Sequence, residues 1–215
     1  LENGEIDWTG LDVYIGVDLA ETTDSCAVVM VAYVDGVVYC EPLAFIPEAR
    51  TDEKSATERV DYRHFIKQMQ CVACGDRVVD YAVIEEYVMK IEEQYGVKII
   101  DIGYDRRNAM SSAQKWERAG YNVTEVEQHS RTLHAPTKLL KECILNHQFL
   151  YKANELYEIN YQNAKCTEDT NKNKYVNKKR SAGKVDMVVA TIIAVYIMQQ
   201  HEIFDTGLDW GIQTA

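Results

Sequence analysis

Residues 13–34 read VYIGVDLAETTDSCAVVMVAYV, and this stretch decides how the chain folds. Val13, Ile15 and Val17 alternate with Tyr14, Gly16 and Asp18, the period of a strand. After the polar turn Glu21 to Ser25 a second β-rich run, Cys26 to Val34, returns. A hairpin is expected, with Asp18 closing its first strand. A carboxylate held in a sheet core costs on the order of several kcal/mol unless it is neutralised or coordinated. Asp18 therefore either binds a metal, together with Asp105 and Asp186, or caps the turn that follows it.

Outward from this hairpin, Asp35-Gly36 is a two-residue turn signal into a third strand, Val37 to Ile46, which Pro47 ends. Thr51 to Ser55 reads as a polar loop and Thr57 to Gln70 as a helix capped by Thr57. A short run, Arg77 to Asp80, leads into Tyr81 to Tyr95, where Val83, Ile84, Tyr87, Val88 and Ile91 recur at helical spacing and Gly96 is a C-terminal stop. Val97 to Asp105 (VKIIDIGYD) reads as a buried strand, parallel to an earlier one because a helix separates them. A helix over Asn108 to Ala119, stopped by Gly120, and a strand over Tyr121 to Val126 complete a βαβ unit.

Pro136 is expected to start a helix over Thr137 to Phe149, Leu150 to Lys165 to form two short strands, and Val185 to His201 to be an apolar helix. The fold class is α/β: a mixed sheet, three antiparallel strands followed by parallel ones, with helices on both faces. Residues 1–12 read as a linker or lead-in segment, 13–201 as one domain and 202–215 as a C-terminal tail.

With 47% hydrophobic residues in 215, the chain is long enough to bury a real core. The longest apolar run, Met187 to Met198, falls short of the ~18 residues of a membrane span, so a soluble chain is expected. It begins at Leu1 without a signal-peptide pattern, as a segment of a longer chain would. Six scattered cysteines suit reduced thiols, and the CVAC of Cys71 to Cys74 lacks the second pair a zinc site needs. The net charge of −11 argues against coating nucleic acid by bulk attraction. Lys165 to Lys184 is the exception. Seven basic residues against Glu168 and Asp169 give it +5 and leave −16 on the remainder, a segment that either grips phosphates or is a solvated loop.

Functional side chains in an open α/β sheet gather at the carboxyl ends of the strands. Asp18 and Asp105 end strands, and Asp186 opens the last helix with Val189, Ala190, Ile193 and Ile197 on its face. Three converging carboxylates repel one another unless positive charge lies among them. All-oxygen ligation fits Mg²⁺ or Mn²⁺, and two such ions, roughly 3.5–4 Å apart, suit hydrolysis of a phosphodiester. Asp24 is an alternate or outer ligand, or a turn cap. Asp101 is either a paired structural carboxylate or a sign that the strand register differs from this one, Glu85 and Glu86 face solvent, and Arg106 and Arg107 contact either phosphate or neighbouring acids. Lys178, Lys179, Arg180 and Lys184 are the candidates for DNA-backbone contact, since they lead directly into Asp186. His129 and His134 lie near the same strand ends without an assigned role.

GVDLAETTDS (16–25), IGYDRRNA (102–109), HAPTKLLKECI (134–144) and KKRSAGKVDMVVATIIA (178–194) resemble, in this order, the carboxyl-terminal nuclease domain of tailed-phage large terminase subunits. The resemblance spans nearly the whole chain. It implies an RNase H-like nuclease domain over 13–201 and a metal-dependent endonuclease that cuts double-stranded viral DNA during genome packaging. Asp18, Asp105 and Asp186 are then the metal ligands, the middle one being glutamate in some relatives. It further implies an amino-terminal packaging ATPase in the full-length protein, portal and small terminase subunit partners, no membrane association, and the cytoplasm of an infected or lysogenic bacterial host. No GxxxxGK[ST] loop occurs here, so the motor lies outside this chain. Two rivals stand beside this reading. An actin-like or sugar-kinase-type ATP-binding domain shares the opening stretch, but Ala20 and Glu21 replace the small Gly-rich turn that phosphates approach. A catalytically inactive module that docks DNA or a portal protein is the other.

Overall fold

The computed structural model describes residues 2–20 and 25–204. A short strand β1 (Glu2–Asn3) precedes the expected hairpin, in which β2 (Asp12–Asp18) runs antiparallel to β3 (Cys26–Val34). The turn at Asp35-Gly36 leads into β4 (Val37–Pro47), and β5 (Cys71–Cys74) pairs parallel with the end of β4. β6 (Lys98–Tyr104) lies parallel to β2, β7 (Val123–Glu125) parallel to β6, and β8 (Phe149–Tyr151) parallel to β4. The strand order is β1-β8-β4-β3-β2-β6-β7, with β5 branching from β4. This is the expected mixed sheet. Residues 2–11 join it, because β1 pairs with β8 and Trp8 is buried.

Helices α3 (Tyr81–Tyr95) and α4 (Arg106–Arg118) cover one face, packing Ile84, Val88, Ile91 and Trp116 onto Val13, Ile15 and Val17. The other face, which carries Tyr14, Gly16 and Asp18, is covered by α5 (Ser130–Leu145), α6 (Glu155–Asn163) and α7 (Asp186–Gln199). Strand alternation thus assigns Asp18 to the α7 side. Every residue of α7 except Tyr196 is buried, as expected of a helix that is apolar all round rather than along one stripe.

Two glycines explain how close α7 comes. Gly16 and Gly103 are register partners on β2 and β6. A Cβ on Gly16 would stand 2.0 Å from the Ala190 carbonyl oxygen and 2.6 Å from the Ala194 nitrogen, and one on Gly103 2.6 Å from Ile197 Cγ1. The helix backbone rests directly on the strand.

Four expectations are corrected. The helix expected over Thr57 to Gln70 is two: α1 (Thr51–Glu58), which includes the residues read as a polar loop, and α2 (Tyr62–Lys67). Thr57 lies inside α1, and Asp61 is the cap, its carboxylate accepting from the His64 N–H at 3.1 Å. The acidic pair Asp52-Glu53 in the first turn favours a helix start here. Helix α5 begins at Ser130, capped by His129, and carries Pro136 in its second turn rather than at its start. There the ring removes the N–H that would reach the Thr132 carbonyl. Residues 155–163 form α6 instead of a strand, because Asn154 accepts from the Tyr157 N–H at 2.9 Å and Leu156, Tyr157 and Asn160 share a buried face. The basic segment is ordered into a hairpin of β9 (Cys166–Glu168) and β10 (Lys174–Val176), followed by a 3₁₀ turn, Lys178–Arg180.

Replacing Gly16 by Ala forces a methyl into the α7 backbone, beyond the 1–3 kcal/mol typical of overpacking. G16A should lose at least about 3 kcal/mol or fail to fold. Gly4→Ala, whose methyl meets only the Leu150 side chain at 3.5 Å, should stay within roughly 1 kcal/mol of the parent. Urea melts of the two variants compare them directly.

Candidate active site

Asp18 is the last residue of β2, and the parallel register that sets Val17 beside Tyr104 leaves Asp18 next to Asp105. Asp105 lies one residue past β6 and caps α4, its carboxylate accepting from the Arg107 N–H at 3.2 Å. Asp186 is the first residue of α7, one turn before the Ala190 that touches Gly16. The sheet edge and the helix start thereby bring Asp18 and Asp186 together, 4% and 6% exposed.

A single ammonium joins them. Lys178 Nζ donates to Asp18 Oδ2 at 2.5 Å and to Asp186 Oδ1 at 3.1 Å. Burial pushes the Asp18 carboxyl up to about 6; Lys178 opposes the shift, and the charges of Asp186 and Asp105 add to it. Burial also works against the Lys178 charge, but the two carboxylates outweigh it and raise the lysine above its ordinary value.

The expected triad is therefore only partly assembled. Asp18 and Asp186 share one cation, while half-buried Asp105 lies beside them and caps its helix. Among the described residues, no three His, Cys, Asp or Glu side chains gather closely enough to hold a metal as they stand. The donor set nevertheless fits a divalent ion. Two desolvated carboxylates face a positive charge that a lysine now supplies, and their hard oxygens match Mg²⁺ or Mn²⁺.

The remaining candidates are distributed as follows. Lys178, expected on DNA, is committed to Asp18 and Asp186 instead. Lys179 and Arg180 are exposed on the 3₁₀ turn, whose N–H groups Asn177 accepts, and Lys184 is half-buried. Asp24 lies outside the described residues. Asp101 is paired as expected, accepting from Thr124 Oγ1 at 2.8 Å and meeting His201 Nε2 at 3.1 Å. Glu85 does not face solvent: it is buried between α3 and α4, bonded to Ser112 Oγ at 2.7 Å and Lys115 Nζ at 2.6 Å, whereas Glu86 is exposed. Arg106 pairs loosely with Glu125 at 3.8 Å. His134 Nδ1 accepts from the Lys174 N–H at 2.9 Å and ties the basic hairpin to α5. Cys71 and Cys74 are buried on β5.

Beside Asp186 opens a cleft of about 600 Å³ that the sequence did not announce. Lys178 and residues 182–186 form one wall, and Thr57, Glu58 and Arg59, at the end of α1, form the other.

A mixed sheet with helices on both faces and carboxylates where β2, β6 and the closing helix meet has the RNase H-like fold of terminase nuclease domains. Residues 4–202 match the family model described as terminase large subunit, endonuclease domain, and the chain belongs to that family. It is 21% identical over 185 residues to the terminase large subunit of Enterobacteria phage HK97, covering 85% of this chain and 36% of that protein. The crystal structure of the HK97 large terminase superposes with a TM-score of 0.81 at 20% identity, over 88% of this chain and 40% of that one. The large terminase nuclease of thermophilic phage G20c with bound magnesium superposes at 0.56 and 12% identity, covering 86% and 80%. The chain thus spans well under half of the HK97 protein. Membership of this family leaves the actin-like and sugar-kinase reading without support. No helix among the described residues is long and apolar enough to cross a membrane.

A carboxyl whose pKa is raised on folding binds a proton in the native state before the unfolded chain does. Its stabilising share is present below pH 4 and lost as pH rises through about 6. In metal-free protein the stability of wild type relative to Asp18→Asn should therefore increase between pH 7.5 and pH 4.5. The increase is on the order of 1–3 kcal/mol, read from urea melts. A flat or falling difference contradicts a destabilised Asp18 carboxylate.

Proposed function

We propose that this chain is a metal-dependent endonuclease that hydrolyses double-stranded viral DNA during genome packaging, with Asp18, Asp105 and Asp186 holding two Mg²⁺ or Mn²⁺ ions. The observation that carries the reading is the sharing of one ammonium by two buried carboxylates, Asp18 and Asp186, at the edge of a cleft with basic walls. Magnesium in the G20c nuclease supports the choice of ion. When bound, the ions would activate water and stabilise the leaving oxygen.

The protein's own contributions follow from its geometry. The rigid contact of α7 with β2 fixes Asp18 and Asp186, so their oxygens need no reorganisation to meet a cation. Asp105 completes the set by turning from the Arg107 N–H. Lys178 has to leave the carboxylates, and its position then suits a DNA phosphate, as do those of Lys179, Arg180 and Lys184. These groups touch backbone rather than base edges, so sequence preference should be slight. The domain would act within a longer protein carrying the packaging ATPase, with portal and small terminase subunit as partners, in the cytoplasm of the bacterial host.

A module that docks DNA without cutting it draws on one observation, the lysine that now occupies the cation's position. One assay separates the two. With Mn²⁺, wild-type protein should nick and linearise plasmid DNA, and Asp18→Ala should lower the rate at least about 100-fold while remaining folded by circular dichroism. Manganese should raise the melting temperature of wild type but not of D18A. Equal cutting by both proteins removes Asp18 from the chemistry, and absence of cutting by wild type favours the docking module.

A further inference from the structure

The cleft wall opposite Lys184 ends in Arg59, and the backbone there is unusual. Arg59 closes α1 with φ 57° and ψ 41°, the left-handed conformation that glycine normally supplies at a helix end. Its own N–H and that of Val60 both reach the Ser55 carbonyl, the latter at 3.2 Å, which locks the turn. A side chain in this conformation is strained where a glycine would not be.

The neighbouring charges are already taken. Glu58 accepts from Lys54 Nζ at 2.7 Å and from the Tyr62 hydroxyl at 2.5 Å, so both of its carboxylate oxygens already have partners. Asp186 is held by Lys178. Arg59 is exposed, lines the cleft, and among the described residues its guanidinium has no hydrogen-bond or ion-pair partner. An always-charged, planar donor at the mouth of a cleft matches an oxyanion, carboxylate or phosphate, and on the nuclease reading the oxyanion that enters this cleft is a phosphodiester.

We propose that Arg59 grips a backbone phosphate of the duplex on the side of the scissile bond opposite the Lys178–Lys184 segment, so that the strand is held from both walls of the cleft. The proposal rests on the nuclease reading for its choice of DNA, but its first test does not require cutting. In this arrangement Arg59 positions substrate, whereas the carboxylates carry the chemistry.

The test uses Arg59→Gly, Arg59→Ala and Arg59→Lys. Binding of a 30-base-pair duplex in EDTA is followed by anisotropy between 50 and 200 mM salt. R59G and R59A should each weaken binding roughly fivefold to tenfold at the lowest salt and flatten the salt dependence by about one phosphate contact, with R59K recovering most of both. R59G should melt at or above the wild-type temperature, since glycine relieves the left-handed strain. With Mn²⁺ the loss should appear in KM, with kcat held within about twofold. Unchanged affinity and salt slope in R59G overturn the proposal even if wild type cuts DNA. A fall in R59G melting temperature without a binding change assigns Arg59 to structure alone and overturns it as well. If the binding effect appears in a protein that never cuts, the nuclease reading fails and the phosphate contact stands.

Discussion

The seating of α7 on the paired glycines, its backbone against Gly16 and its Ile193 and Ile197 side chains against Gly103, is the constraint on which the remaining architecture depends. Ordinary side chains at these positions would hold a helix off the sheet at the usual packing distance, with the first turn of α7 displaced from the end of β2. Without them the helix settles onto the strands, and Asp186 arrives within reach of the same lysine as Asp18. The same approach explains why α7 is apolar all round: the sheet lies beneath it, and α5 and α6 close over it.

Bringing two carboxylates into so dry a place is unfavourable, and the chain offsets the cost with Lys178 rather than by dispersing the charges. Burial raises the Asp18 carboxyl, and the Lys178 ammonium lowers it only part of the way back. The site is thus held together by a lysine, with the Asp18 carboxyl still raised by burial. That combination suits a centre that must fold first and load a cation afterwards.

Much of this was legible in residues 13–34 and 81–105. Strand alternation, the Asp35-Gly36 turn and the Tyr81 to Tyr95 periodicity are local signals, and local geometry honours them. Asp18 and Asp186 stood out because a carboxylate amid apolar neighbours demands a partner. The misreadings arise where a tertiary partner or a cap decides. Glu85 looks like any helix-surface acid until Ser112 and Lys115, on another helix, close over it. Lys178 looks like one more cation in a basic run, and only folding reveals which of the seven turns inward. Arg59 was hidden because nothing local distinguishes a left-handed arginine from a helical one.

The central position of α7 also fixes when the domain becomes whole. This helix fills the groove between strands encoded some 170 residues earlier, and among the described residues it is the last long element in chain order. A ribosome must release nearly the whole domain before the groove can be filled, and contacts of such long range are slow to form. A prematurely ended copy of the chain lacks both Asp186 and its lysine, so Asp18 is left at the strand end with neither partner.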